Sequence, residues 1–259
     1  MMSLKVIQLN LWKGRFFDEA CEFLRSESPD VVFLQEVTTG GLNLYKDQKA
    51  DLFEELKVRL GISGVYDCVM RFKQLPDDCF GNAILSKLPI IKSQVVTMRD
   101  GGLFEYDFEH KGDLEKDRPY VPRHLLDAEI DAHGTKIHAI CIHGAWTRPP
   151  TDTGEALRQA DIIVDHIKSL GDEPFIVGGD FNMPPESKVI KKISAVSKNL
   201  MEGLDISQTL NPRIHTLKDK GFLVDYIFTS WHFSVKSIEI AQVDISDHLP
   251  VVAEVDFSA

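Results

Sequence analysis

Phe175-Ile-Val-Gly-Gly-Asp180-Phe-Asn182-Met-Pro-Pro185 decides the fold class. Its three leading apolar residues fit a strand buried on both faces, which belongs in a layered α/β protein. Two glycines then let the backbone approach a neighbour closely, and two prolines stop the run. On an extended backbone, Asp180 and Asn182 at i and i+2 point to one side. Acid and amide would then face a single target, the aspartate orienting or deprotonating a water and the amide binding phosphate or a cation.

Working outward, the chain reads as strands interleaved with a few helices. Leu4–Leu11 and Val31–Leu34 are predicted strands, with Phe17, Cys21 and Leu24 at helical spacing between them until Ser28-Pro29. A second helix follows from Leu52, Phe53, Leu56 and Leu60, closed by Gly61. The middle is strand-rich: Val65–Met70, Ala83–Leu85, Ile90–Val96, His124–Ile130 and Lys136–Ile142, separated by Pro, Gly and Asp turn signals. Glu155–Leu170 carries one apolar helical face, and Phe222–Phe228, Phe233–Ile240 and Val251–Val255 close the chain as strands. One domain spanning residues 1–259 is expected. Polar stretches Met98–Arg123 and Gly144–Gly154 exceed the usual loop length of about 12–15 residues or approach it, and are expected to border a substrate.

Polar residues gather where predicted strands end. Asn10 closes the first strand and Glu36 the second, a rim position where ligands of layered α/β proteins collect. His143 ends Ile140-Cys-Ile-His143 and could donate to a phosphoryl oxygen. Asp225 sits in the apolar run Val224-Asp225-Tyr226-Ile227-Phe228 and needs a partner. His248 of Ser246-Asp247-His248-Leu249-Pro250 is the expected one, since a carboxylate on one ring nitrogen fixes the tautomer and aims the other. Asp247 is left for a metal or the attacking water. Asn82 and Arg123 are candidate phosphate contacts, and Trp146 a candidate stacking residue.

In order, Asn10, Glu36, His143, Gly-Asp180-Phe-Asn182, Asp225-Tyr and Ser-Asp247-His248 resemble the endonuclease/exonuclease/phosphatase superfamily over almost the whole chain. The resemblance implies a four-layer α/β sandwich, two mixed sheets packed face to face with helices outside. It also implies Mg²⁺ or Mn²⁺ held by Glu36, with Asn10 and Asp247, and in-line attack of water on a phosphoester. Asp180 would position that water, Asn182 and His143 would hold the phosphate, and Asp225 would orient His248. Repair endonucleases of the superfamily carry Asn-x-Asn or Asn-x-Asp in the first motif, whereas Asn10 is followed by Leu11-Trp12, which counts against an abasic-site substrate. A phosphomonoesterase or a phospholipid-type phosphodiesterase is the alternative within the superfamily. A non-catalytic phosphate-binding module is the alternative outside enzymes.

Composition sets the remaining expectations. The formal charge of -11 removes the broad basic footprint of a duplex-binding protein and favours a small, flexible or single-stranded substrate. Cys21, Cys68, Cys79 and Cys141 have neither C-x-x-C nor metal-ligand spacing and read as reduced thiols. With no long apolar segment near the start and no run of roughly 18 apolar residues, a cytoplasmic monomer without a membrane span is expected.

Overall fold

A computed structural model describes residues 2–40, 51–105 and 120–257. Two six-stranded mixed sheets form its framework. Sheet I contains β1 (Met2–Asn10), β2 (Val31–Thr39), β3 (Ser63–Arg71), β4 (Cys79–Ser86), β11 (Phe233–Ile240) and β12 (Val251–Phe257), in the order β11-β12-β1-β2-β4-β3. Sheet II contains β5 (Ile90–Arg99), β6 (Arg123–Ala132), β7 (Thr135–His143), β8 (Phe175–Asp180), β9 (Lys198–Asn199) and β10 (Asp225–Thr229), in the order β5-β6-β7-β8-β10-β9. Each sheet has one parallel pair, β1 with β2 and β7 with β8, among antiparallel neighbours.

The sheets pack face to face through Phe33, Ile84, Leu126, Ala139, Cys141 and Ile176, all buried. Gly178 is where they come closest, because a Cβ there would collide with the Phe33 ring. Helices α1 (Phe17–Glu27) and α2 (Leu52–Leu60) set Phe17, Cys21, Leu24, Phe53 and Leu56 against Ile7, Leu9, Val32 and Leu34, the opposite face of sheet I. Helices α3 (Gly154–Ser169) and α4 (Lys188–Ser194) bury Ala160, Ile163, Ile167, Ile190 and Ile193 with sheet II. The expected four-layer sandwich is therefore present. Among the described residues, no helix is long and apolar enough to cross a membrane.

Helix ends follow their side chains. Asp51, Thr153 and Ser187 accept the backbone N–H of Glu54, Ala156 and Ile190, and Ser28 and Gly61 close α1 and α2 in left-handed conformations. Helix α4 goes unread in the sequence, although Ser187 and the apolar trio Val189, Ile190 and Ile193 carry its signal.

Three expectations need correction. Cys68 and Cys79 are disulfide-bonded with Cα atoms 5.7 Å apart, while Cys21 and Cys141 are free and buried. Spacing could not reveal this, because the pair faces across the β3–β4 ladder, where Arg71 lies opposite Cys79 and an irregularity separates Cys68 from Met70. Second, Glu36 does not end a strand. β2 runs on to Thr39, and Glu36 sits at an irregularity between Leu34 and Val37 with φ 57°. Third, β5 extends to Arg99, so the stretch from Met98 begins as strand; residues 106–119 of it lie outside the described residues.

Candidate active site

Both parallel pairs deliver polar residues to one end of the sandwich. Asn10 ends β1, His143 ends β7, Asp180 ends β8, and Asp225 begins antiparallel β10 directly opposite Asp180. A cleft of about 460 Å³ opens there, lined by Asn10, Glu36, Arg123, His143, Trp146, Asp180, Asn182, Asp247 and His248 among others. Asp225 stands behind this surface as the partner of His248. Asn82 is buried, does not line the cleft, and donates from Nδ2 to the His124 carbonyl at 3.5 Å.

His248 is held from two sides. The Asp225 carboxylate lies 2.8 Å from Nδ1, and the Ser246 hydroxyl accepts the His248 N–H at 3.2 Å while donating to the Asn10 carbonyl at 2.7 Å. Asp225 is itself fixed: Gln8 Nε2 donates to Oδ1 at 3.3 Å, and its N–H donates to the Thr209 hydroxyl at 3.1 Å. Nε2 of His248 thereby faces Asp180 Oδ2 at 3.8 Å, and His143 Nε2 faces the same oxygen at 3.7 Å. Burial pulls the His248 imidazolium down, but the carboxylates of Asp225, Asp180 and Asp247 outweigh it and hold the group well above its ordinary value.

Asp180 shows the opposite balance. Burial pushes it up to about 7, with Asp225 adding to the rise and His248, the Asn10 amide and the Asn182 N–H opposing it. Asn10 Nδ2 donates to Oδ2 at 3.1 Å, and the Asn182 N–H donates to Oδ1 at 2.9 Å. That second bond corrects the expectation of an extended Asp-Phe-Asn segment. The chain turns at Asn182, which has φ 55° and donates from Nδ2 to the Gly144 carbonyl at 3.4 Å. A short Asp-centred turn brings acid and amide to the cleft, where alternation along a strand was expected to do so.

Across the cleft lie the expected cation ligands. Glu36 Oε2 is buried and accepts no hydrogen bond, with Lys13 Nζ 3.9 Å away. Burial raises Asp247 to about 6; Glu36 adds to the rise, while His248, Lys13 and a Ser246 hydrogen bond oppose it. Asn10 Oδ1 accepts the Trp12 N–H at 3.0 Å. A buried orphan carboxylate oxygen, a second carboxylate and an amide oxygen form a hard donor set that fits a divalent cation of the magnesium type. Asp180, Asp225 and His248 also offer one donor atom each within 4.8 Å, but His248 Nδ1 is already committed to Asp225.

Arg123 lines the cleft and donates from Nε to the Gly144 carbonyl at 2.7 Å. Residues that sequence reading missed include the cleft cations Lys13, Arg148 and Lys220, and the supports Gln8 and Thr209; Ser246 was read only as part of its motif, without this supporting role. Gln8 and Gln35 did carry a signal, as amides inside otherwise apolar strands.

A sandwich of two mixed sheets that presents a carboxylate-held histidine, a buried aspartate and a hard-cation donor set at one rim defines a class of phosphoester-processing fold. The chain belongs to the Endonuclease/Exonuclease/phosphatase family, whose model matches residues 7–248. Members of that family are hydrolases acting on phosphoesters. Among solved structures, an endonuclease/exonuclease/phosphatase from Bacteroides vulgatus is similar, with TM-score 0.76, 20% identity and all of both chains covered. A mannosyl-6-phosphatase from Bacteroides thetaiotaomicron gives TM-score 0.71 and 17% identity over 98% of this chain and 100% of that one. D. rerio TDP2 in complex with a single-strand DNA product gives TM-score 0.73 and 15% identity over 99% of this chain and 100% of that one. No curated protein matches the sequence.

Proposed function

We propose that the chain is a Mg²⁺- or Mn²⁺-dependent hydrolase that cleaves a phosphodiester, nucleic-acid-derived and single-stranded or flexible, by in-line attack of water. The observation that carries this reading is the buried series Asp225, His248, Asp180, with His248 2.8 Å from the first carboxylate and 3.8 Å from the second. An imidazole whose cationic form is favoured by its carboxylate neighbours, beside a carboxyl raised to about 7, pairs a phosphate-oxygen donor with a base matched to neutral solution.

Asp180 accepts the proton of the attacking water and the Asn10 amide keeps its carboxylate turned toward the cleft. His248 and His143 donate to phosphoryl oxygens, where charge builds in the transition state, and Asn182 and Arg123 fix the phosphate's position. Glu36, Asp247 and Asn10 would hold the cation, which supplies charge neutralisation at the phosphoryl and leaving oxygens. Cleft walls of Trp146, Pro149, Phe72 and Phe80 suit a base or another planar group next to the phosphate.

A phosphomonoester is the second reading, favoured by the cations Lys13, Arg123, Arg148 and Lys220 around a cleft sized for a compact ligand. Release of nitrophenol from bis-nitrophenyl phosphate and from nitrophenyl phosphate, with Mg²⁺ or Mn²⁺, separates the two. Turnover of neither, or equal turnover by wild type and Asp180→Ala, would sink the hydrolase reading; single-stranded DNA, structured RNA and soluble phosphate esters then define the substrate.

A further inference from the structure

A second group of metal-type donors lies on sheet II, away from the cleft. Glu129 on β6 and His138 on β7 are directly opposite in the antiparallel register, and Glu173 stands just before β8. One donor atom from each, all three within 4.8 Å of one another, converges on one spot. Arg123 and His143 mark the cleft ends of the same two strands, so this spot is roughly 16–20 Å away at about 3.3 Å per residue.

Its histidine is prepared in the way metal-binding imidazoles usually are. Asp127, under 2% exposed, takes His138 Nδ1 at 2.9 Å and is fixed in turn by Gln94 Nε2 at 3.0 Å and His166 Nε2 at 3.0 Å. A buried carboxylate on Nδ1 sets the tautomer and turns Nε2 outward as the free donor. Nε2 meets Glu173 Oε2 at 2.7 Å, so in the absence of a cation a proton bridges them.

The independent observation is Glu129. Its side chain is 9% exposed, and its Oε2 is buried and receives no hydrogen bond. Lys92 and Lys136 form ion pairs with that oxygen at 3.3 and 3.4 Å, and Lys136 makes its shorter contact, 2.9 Å, with Glu173. Both lysines are surface side chains, 70% and 39% exposed, and can turn into water.

We propose that Glu129, His138 and Glu173 form a second cation site, for a borderline transition metal of the zinc class, with water completing a tetrahedron. One imidazole nitrogen and two carboxylate oxygens are the donor types zinc accepts in this number, whereas magnesium favours oxygen alone. On binding, the cation replaces the proton between His138 and Glu173, and the displaced lysines are solvated. The site ties β6, β7 and the turn before β8 together, so its role is structural.

The test uses the full chain carrying Glu36→Gln and Asp247→Asn, which silences the cleft donors. Titration with Co²⁺ should give the visible bands of a tetrahedral site, and calorimetry with Zn²⁺ about one equivalent. Adding Glu173→Gln, at a half-exposed position that leaves the fold intact, should weaken Zn²⁺ at least tenfold and abolish the Zn²⁺-dependent rise in melting temperature. Glu129→Gln should do the same. Unchanged Zn²⁺ affinity and stoichiometry in both variants, or no binding by the parent at millimolar Zn²⁺, would overturn the proposal.

Discussion

Asp180 and His248 are both raised, the first by burial and the second by its carboxylate neighbours against burial, and each has a measurable consequence. Asp180 has its folded pKa raised from 3.8 to about 7 by burial. Below about pH 4 both folded and unfolded chains hold its proton, so nothing is lost; between about 4 and 7 only the unfolded chain releases it, and stability falls. In the metal-free protein, Asp180→Asn should remove that loss. Melting temperatures of wild type and variant should coincide near pH 4 and the variant should be the more stable above pH 7, while its turnover falls by about 10²–10⁴-fold. A variant that loses activity and stability together at neutral pH would contradict this assignment. His248 is raised, so its support is full below its ordinary value of 6.5 and fades only as pH climbs through its higher folded value. Asp225→Asn removes the contact that holds it there. The expected results are a loss of about 3 kcal/mol in denaturant unfolding at pH 7, from breaking a buried charge pair, and an activity profile that declines at lower pH than in wild type.

These residues were legible for a physical reason. Asp225 in an apolar run is costly unless partnered, and His248, whose Asp-His-Leu-Pro setting alone would read as a turn, is the partner it meets. Glu36 and Asn182 were legible as residues but not as geometry, because each adopts a left-handed backbone conformation that spacing along an extended strand cannot anticipate.

At the level of elements, strand and helix positions followed the apolar pattern closely, while cross-strand relations did not. Gly178 was read as a site of close approach, but only the pairing of the sheets identifies Phe33 as what it approaches. Gly178→Ala should therefore destabilise by about 1–3 kcal/mol through overpacking, measurable as a shift in the denaturant midpoint with little change in slope. The disulfide was invisible to spacing because Cys68 and Cys79 meet only once β3 and β4 pair. It flanks the small cluster of Met70, Phe72, Phe80 and Val121 that lines one side of the cleft. Replacing both cysteines by serine should cost up to about 3 kcal/mol for a loop of this size. KM for a substrate that rests against this wall should rise more than kcat falls, and an unchanged KM would separate the disulfide from the cleft.

For the molecule as a whole, the charge of -11 and the concentration of cations in one cleft predict local rather than extended anion binding. Competition assays should show that short single strands inhibit hydrolysis of a small ester at least as well as a long duplex of equal phosphate concentration. Chelation should abolish turnover, and Mg²⁺ at about 100 times its Kd should raise stability by about 2.7 kcal/mol. That increment should disappear in Glu36→Gln. Four layers were legible from the order of strands and helices together with the family resemblance. The order of strands within each sheet was not, since it depends on contacts between residues more than 200 positions apart, such as Val6 with Ala253.

That last contact has a consequence for biosynthesis. β1 has β2 on one side within a few dozen residues, but its other neighbour, β12, is translated more than 200 residues later. Until residues 251–257 emerge, one flank of β1 is open and the chain carries an unsatisfied strand edge, the kind of surface that chaperones cover. His248 is made only moments before the strand that closes this gap. A nascent chain stalled ahead of it has neither a finished first sheet nor the imidazole of the candidate site, so the two depend on the same late segment.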